Sequence, residues 1–265
     1  TMTMLLAIEA VDSGKITMDD IVTVSENGSS MTGSRVYLST NEKISVSDLL
    51  KSIAVSSGND AAVTMAEYVA GNEESFVALM NKRAEELGLE NTHFVNCCGL
   101  DAEGHYSSAH DLAAISDELL KHDSIRPFLV IWMDSIRDGT FTLSNTNKLV
   151  RYYDGCTGVK TGFTSQAMYC LSASALRDDM ELIAVILGGP NSKQRFADAS
   201  ALLNYGFANY KIEKCASEGD NFGTVNIEKG TTETVSAICE KDFSYLSSKS
   251  ESSEITNKIK LNKNV

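Results

Sequence analysis

Two triplets in this 265-residue chain bring together side chains able to move protons and bind anions: Ser57-Gly58-Asn59 and Lys160-Thr161-Gly162. A serine hydroxyl is a poor nucleophile until a close base takes its proton, and a lysine desolvated near other cations can be that base. Taken singly, each triplet also has a plain structural reading. Ser-Gly-Asn is an ordinary helix–helix turn, with Asn59 or Asp60 capping the second helix. Lys-Thr-Gly is an ordinary strand residue followed by a bend. The four histidines (His93, His105, His110 and His122) lack the His-Glu-x-x-His spacing of a zinc hydrolase. His110 and His122 read as solvated, while His105, in a polar loop near Ser107-Ser108, is the one placed to line a cleft. Glu85-Glu86 and Asp178-Asp179 read as surface and turn charges, since nothing sets them on facing walls as a glycosidase pair requires. No metal site and no cofactor is expected.

The elements that must carry these triplets follow from periodicity and capping. Met2 to Val11 is almost wholly apolar and stops at Ser13-Gly14, which marks a buried helix. Asp20 to Ser25 alternates like a short strand, and Gly28 to Ser34 reads as a loop. Ser45 caps a helix to about Val55, with Asp48 as a box-like partner, and a second helix runs from Asp60 to about Val69. Ser57 therefore sits in the turn between two helices. Glu73 to Leu87 is an amphipathic helix closed by Gly88, Thr92 to Asn96 is extended, and Ser108 caps a helix to about His122.

After Pro127 the pattern becomes strand-like: Thr140 to Leu143, Gly158 to Thr161, Met168 to Leu176 and Met180 to Leu187. The last two flank Arg177-Asp178-Asp179, a hairpin signal. Ser192 to Asn209 is a closing helix with Phe196, Leu202, Leu203 and Phe207 inward. From about Lys211 the composition turns to Thr, Glu, Ser and Lys with alternating strands such as Thr224 to Ile227 and Thr234 to Ile238. Helices first, an antiparallel sheet later and a closing helix give an α+β domain.

Bulk properties narrow the function class. A net charge of −13 and a pI of about 4.7 would repel a phosphate backbone, so no nucleic-acid partner is expected. No run reaches the roughly 18 apolar residues of a spanning helix. The six cysteines (Cys97, Cys98, Cys156, Cys170, Cys215 and Cys239) include no Cys-x-x-Cys and are too sparse for a disulfide scaffold. Adjacent Cys97 and Cys98 read as reduced thiols beside a loop.

In combination the two triplets are specific. Serine acyl-transferases that open penicillin or cut D-alanyl-D-alanine use Ser-x-x-Lys, Ser-x-Asn and Lys-Thr-Gly. Other similar stretches follow in the right order: Asn91 to Asn96 with Gly99-Leu100-Asp101, Asn145-Thr146-Asn147-Lys148-Leu149, Gly158 to Thr164, and Leu202 to Phe207. Over residues 1–210 the chain resembles the low-molecular-mass penicillin-binding proteins, the serine D-Ala-D-Ala carboxypeptidases.

The resemblance implies a penicillin-binding-protein/β-lactamase-like transpeptidase domain over 1–210, an antiparallel sheet packed with helices. The start of a small all-β domain then follows over 211–265. It implies a peptidoglycan stem peptide as substrate, β-lactam antibiotics as inhibitors, and a place on the cell-wall side of the bacterial membrane. Membrane association would come only through segments outside this sequence. Carried over by residue, Ser57 would shuttle a proton toward the leaving D-alanine and Asn59 would bind the substrate's amide region. Lys160 would supply positive potential, Thr161 a hydrogen bond to the terminal carboxylate, and Gly162 close approach of the strand. The Phe163 N–H would complete the oxyanion hole. Arg195 would help hold the carboxylate, with a solvated helix-start charge as the competing reading.

One element is missing. The chain opens at Thr1 inside an apolar run, about one residue after the expected lysine of Ser-x-x-Lys. The expectation is that nucleophile and base precede Thr1 and that residues 1–265 alone form no acyl-enzyme. The alternatives are an inactive peptidoglycan-peptide-binding fragment or homologue, and a β-lactamase-like hydrolase.

Overall fold

Helix α1 (Met2–Asp12) is apolar on nearly every side and correspondingly buries Met2, Met4, Leu5, Ala7, Ile8 and Ala10. It is the central rod of a computed structural model that describes residues 1–250 and Lys260. Against it pack α3 (Val46–Ser56) and α4 (Asn59–Ala70), whose inward faces supply Leu49, Leu50, Ile53, Val63, Met65 and Ala66 to one continuous core. Ser45 caps α3 as expected, its hydroxyl accepting the Asp48 N–H at 3.0 Å. Ser108 caps α6 (Ala109–Leu120) in the same way. Between α4 and α6, α5 (Glu73–Glu86) buries Phe76, Met80 and Ala84.

Two sequence expectations need correction here. Where a loop was expected over Gly28–Ser34, its first three residues belong to a short helix, α2 (Glu26–Ser30), because Ser25 caps it by accepting the Gly28 N–H. Thr92 to Asn96 makes only one bridge, His93 to Tyr106, since its other backbone groups bond to side chains such as Asn81 and His105.

Strands β1 (Ile21–Thr23) and β2 (Lys43–Ser45) pair antiparallel. Past the short α7 (Arg126–Leu129), so do β3 (Met133–Ile136) and β4 (Phe141–Ser144). After α8 (Leu149–Tyr152), a three-stranded sheet runs in the order β5 (Cys156–Thr164), β6 (Met168–Arg177), β7 (Met180–Gly189). The β6–β7 turn places Asp178 and Asp179 at positive φ (49° and 60°), the backbone of a two-residue hairpin loop. Helix α9 (Ser192–Asn209) then buries Arg195, Ala199 and Leu203. Leu202, expected inward, is 51% exposed, because the buried stripe falls at four-residue steps from Arg195 instead.

The chain divides into two compact units: Thr1–Leu176 with Glu181–Leu203, and Arg177–Met180 with the chain from Asn204 on. Beyond the end of α9 at Asn209, the described part of the second unit consists of strands and turns. Strand β8 (Tyr210–Ala216) pairs with β11 (Phe243–Ser248), and β9 (Asn221–Asn226) with β10 (Thr234–Ile238). Both pairs are antiparallel.

Candidate active site

Helix α3 ends at Ser56, and Ser57 takes the left-handed conformation (φ 60°, ψ 38°). A residue with a Cβ held there costs about 1 kcal/mol, and such strain gathers where geometry matters. Ser57 is half-buried, and its hydroxyl has no hydrogen-bond partner among the described residues. Asn59, the first residue of α4, is 8% exposed. Its Nδ2 donates to the Thr32 carbonyl at 2.8 Å, and its N–H to the Ser34 carbonyl at 2.8 Å. The segment Thr32–Leu38 thus lies against the start of α4. Gly33 is needed there, since its φ is +80° and an added Cβ would come within 2.9 Å of Asn59 Nδ2.

Asp60 holds the same segment from below. Its fully buried carboxylate accepts the N–H groups of Val36, Leu38 and Ala61 at 2.9–3.1 Å. The sequence suggested a helix cap at this position. The structure turns that carboxylate toward a neighbouring loop, and α4 has Gly58 at its N-cap, without a side-chain cap.

The second triplet lies on β5. Lys160 is half-buried and donates to the Thr161 carbonyl at 2.9 Å. Burial, and secondarily the charge of Arg195, lowers its pKa from 10.5 to about 8, so keeping the ammonium charged costs about 3 kcal/mol. Arg195 is only 7% exposed and donates to the carbonyls of Gly162 (2.9 Å) and Cys170 (3.1 Å). Its Nε is buried without a partner, and the guanidinium lies over the rings of Tyr169 and Phe196. No carboxylate pairs with Arg195 or Lys160 among the described residues, and burial pushes the Arg195 pKa down as well. One buried and one half-buried cation thus lie close together with no acid paired to either among the described residues. The solvated-charge reading of Arg195 is excluded by its burial.

Gly162 contrasts with Gly33. Its φ is not positive, and a Cβ there would meet only Cys170 Cβ at 3.7 Å. Nothing inside the chain demands glycine at 162. Phe163 is 61% exposed, with its ring 4.5 Å from that of Tyr169 across the β5–β6 ladder.

What joins the two triplets is Thr146, whose segment the sequence singled out without giving this residue a task. Its N–H donates to the Val55 carbonyl (3.1 Å), two residues before Ser57, and its hydroxyl accepts from Thr161 Oγ1 (2.6 Å). Buried amides flank it. Asn145 donates to the Ile131 carbonyl and Asn147 to the Gly158 carbonyl on β5. Buried amides at i and i+2 around a threonine were the signal available in the sequence, because such side chains must find backbone partners.

A circuit of contacts closes on the opposite side. Cys98 Sγ donates to the Asn59 carbonyl (3.6 Å), and the Cys97 carbonyl accepts from Thr3 in the first turn of α1 (2.6 Å). The backbone nitrogen of Thr1 is buried beside Lys160. The start of α1 therefore stands next to the lysine. Among the histidines, His105 spends Nδ1 accepting the Val95 N–H, and burial lowers its pKa, so it acts as a loop brace. His122 is bonded to Asp12, and His110 is exposed beside Asp111.

The chain matches the D-alanyl-D-alanine carboxypeptidase family model over residues 1–191, and that of the penicillin-binding protein 5 C-terminal domain over 210–265. It is 43% identical over 268 residues to the D-alanyl-D-alanine carboxypeptidase DacF of Bacillus subtilis, covering 100% of this chain and 69% of that one. To DacD of Escherichia coli it is 36% identical over 269 residues, covering 98% and 69%. Among solved structures, penicillin binding protein 5 from Haemophilus influenzae superposes with a TM-score of 0.81 at 32% identity, over 95% of this chain and 75% of that chain. Penicillin binding protein 6B from Escherichia coli gives 0.79 at 32% identity, over 95% and 77%.

Proposed function

The chain belongs to the D-alanyl-D-alanine carboxypeptidase family, and from that premise we propose that it removes the terminal D-alanine of peptidoglycan pentapeptides through a penicillin-sensitive acyl-serine intermediate. The observation that carries the reading is the acid-free pair Lys160 and Arg195 on either side of Gly162, tied through Thr161 and Thr146 to the turn bearing Ser57. A peptide ending in a carboxylate would supply the missing anion. Thr161 would turn its hydroxyl proton from Thr146 to it, with Arg195 adding positive charge beside Gly162. Gly162 would let the substrate backbone close on β5, and the Phe163 N–H would receive the oxyanion. Ser57 would pass a proton to the departing amine, with Lys160 supplying positive potential, while Asn59 would hold the scissile amide region.

Residues 1–265 contain no Ser-x-x-Lys, so these roles belong to the second and third elements alone. The match of residues 210–265 to the penicillin-binding protein 5 C-terminal domain favours a carboxypeptidase over a β-lactamase-like hydrolase. Domain limits at 1–210 and 211–265 are part of the proposal, supported by the change from α9 to strands at Tyr210. So is action on the cell-wall side of the membrane. No helix among the described residues is long and apolar enough to cross a membrane.

The test is the intact mass of the natural gene product after exposure to benzylpenicillin. A covalent adduct is expected. A folded gene product that gains no mass would falsify the acyl-transfer reading and leave a peptide-binding role.

A further inference from the structure

Cys97 and Cys98 are neighbours in the chain, and their sulfurs lie 3.7 Å apart. A disulfide needs about 2.05 Å. A tetrahedral ion with metal–sulfur bonds of about 2.3 Å holds two thiolates about 3.8 Å apart, so the pair already has the bite of a chelate. A Glu73 carboxylate oxygen and the two sulfurs lie within 4.8 Å of one another. Cys97 is buried, whereas Cys98 and Glu73 are half-buried, which leaves an ion a way in.

The turn is held independently of any ion. Asn96 Oδ1 accepts the N–H groups of Cys98, Gly99 and Leu100 at 2.8–3.1 Å. The Cys97 N–H donates to Glu73 Oε1 at 3.1 Å, and Thr3 fixes the Cys97 carbonyl. A preorganised backbone, two soft donors and one hard donor match the preferences of a d¹⁰ divalent cation.

We propose that Glu73, Cys97 and Cys98 form a binding site for a thiophilic divalent cation of the zinc class, with water in the fourth position. Binding releases one proton from each thiol to solvent and involves no oxidation. Because both sulfurs bind as thiolates, affinity falls as pH is lowered. Cys98 also touches the Asn59 carbonyl, so a bound ion would replace a thiol contact at the Ser57-Gly58-Asn59 turn. That consequence rests on the proposed function, whereas the site itself does not.

The reduced, metal-stripped gene product would be titrated with Cd²⁺ as probe, reading the thiolate-to-cadmium charge-transfer band, with Zn²⁺ as competitor. One saturable site per chain is expected. It should be lost in Cys98→Ser, weakened at least about tenfold in Glu73→Gln, and kept in Cys215→Ser/Cys239→Ser. Melting curves establish that each variant is folded, and Glu73→Gln carries the test if Cys98→Ser is not. No band, or a band that persists in Cys98→Ser and vanishes in the Cys215/Cys239 variant, overturns the site. Penicillin acylation measured with and without Zn²⁺ then tests the link to the turn. A changed rate supports it, and an unchanged rate removes the link while the cadmium result stands. Acylation absent under both conditions counts against the proposed function alone.

Discussion

The two triplets stand on walls built on opposite principles. The wall carrying Ser57-Gly58-Asn59 holds no cation, and its polar groups are largely spent: Asn59 on Thr32, and Asp60 on three backbone N–H groups. The wall carrying Lys160-Thr161-Gly162 keeps charge in reserve, with a half-buried and a buried cation and no acid paired to either among the described residues. A satisfied wall should serve the fold, and one with unsatisfied charge the proposed chemistry. Mutations in the first should therefore cost stability, and mutations in the second should cost chemistry.

The sharpest break is Lys160→Ala in the natural gene product. Removing a cation that supports proton transfer should slow penicillin acylation by about 10²–10⁴-fold while leaving or raising the melting temperature, because a costly half-buried charge is gone. Stopped-flow acylation beside calorimetry checks both halves. A large drop in melting temperature would mean that the strand wall is structural after all.

Asp60→Asn is the mirror experiment. An amide in place of the carboxylate turns an NH₂ toward backbone N–H groups and should cost about 2–3 kcal/mol, seen as a lower midpoint in urea. Residual acylation at low temperature should stay within a few-fold of the parent, about 1 kcal/mol or less. Its loss beyond that would show that the first wall contributes to the reaction.

The difference between the walls also governs what could be read from sequence. Helices α1, α3, α4 and α6 were legible because apolar periodicity and caps at Ser45 and Ser108 act over a few residues. Strands β6 and β7 were legible from the Asp178-Asp179 turn. The residue types of both triplets were visible, and their roles came from resemblance. What stayed hidden depends on distant partners: Asp60 answering a loop more than twenty residues earlier, Thr146 bridging Val55 and Thr161, and the burial of Arg195. Strands β2, β3, β8 and β11 were missed for the same reason, since short or edge strands are fixed by pairing rather than by local pattern.

Thr146 belongs to both walls, so its variants measure the joint. Thr146→Val keeps shape and removes the acceptor of the Thr161 hydroxyl. Affinity for a carboxylate-bearing β-lactam should fall about tenfold, with the first-order acylation constant little changed and Thr146→Ser restoring binding. A loss shared equally with the methyl ester of the same β-lactam would make Thr146 a packing residue only.

The pH dependence probes the reserve charge directly. The folded pKa of Lys160, about 8, lies below its ordinary 10.5. Between those values the unfolded chain holds a proton that the folded one lacks, so this lysine's contribution to stability rises with pH across that window. Capture of an anion by the ammonium runs the other way. Affinity for the carboxylate-bearing β-lactam should fall several-fold from about pH 7 to about pH 9 as the lysine discharges near 8, and the fall should vanish in Lys160→Ala. A flat profile in the parent would assign the anion to Arg195 alone.

The smallest effect is expected at the most exposed member of the site. If Phe163 serves through its N–H, its side chain matters only for the contact with Tyr169, and an exposed ring pair contributes about 0.5 kcal/mol. Phe163→Ala should then lower acylation by roughly twofold, whereas Phe163→Pro removes the N–H itself and should approach the loss seen in Lys160→Ala. Because proline also breaks a β5–β6 ladder position, the comparison is made on acylation per folded molecule, with folding read from near-ultraviolet circular dichroism. Equal losses in the two variants would transfer the role from the backbone of β5 to the ring, and the strand wall would then act through surface as well as charge.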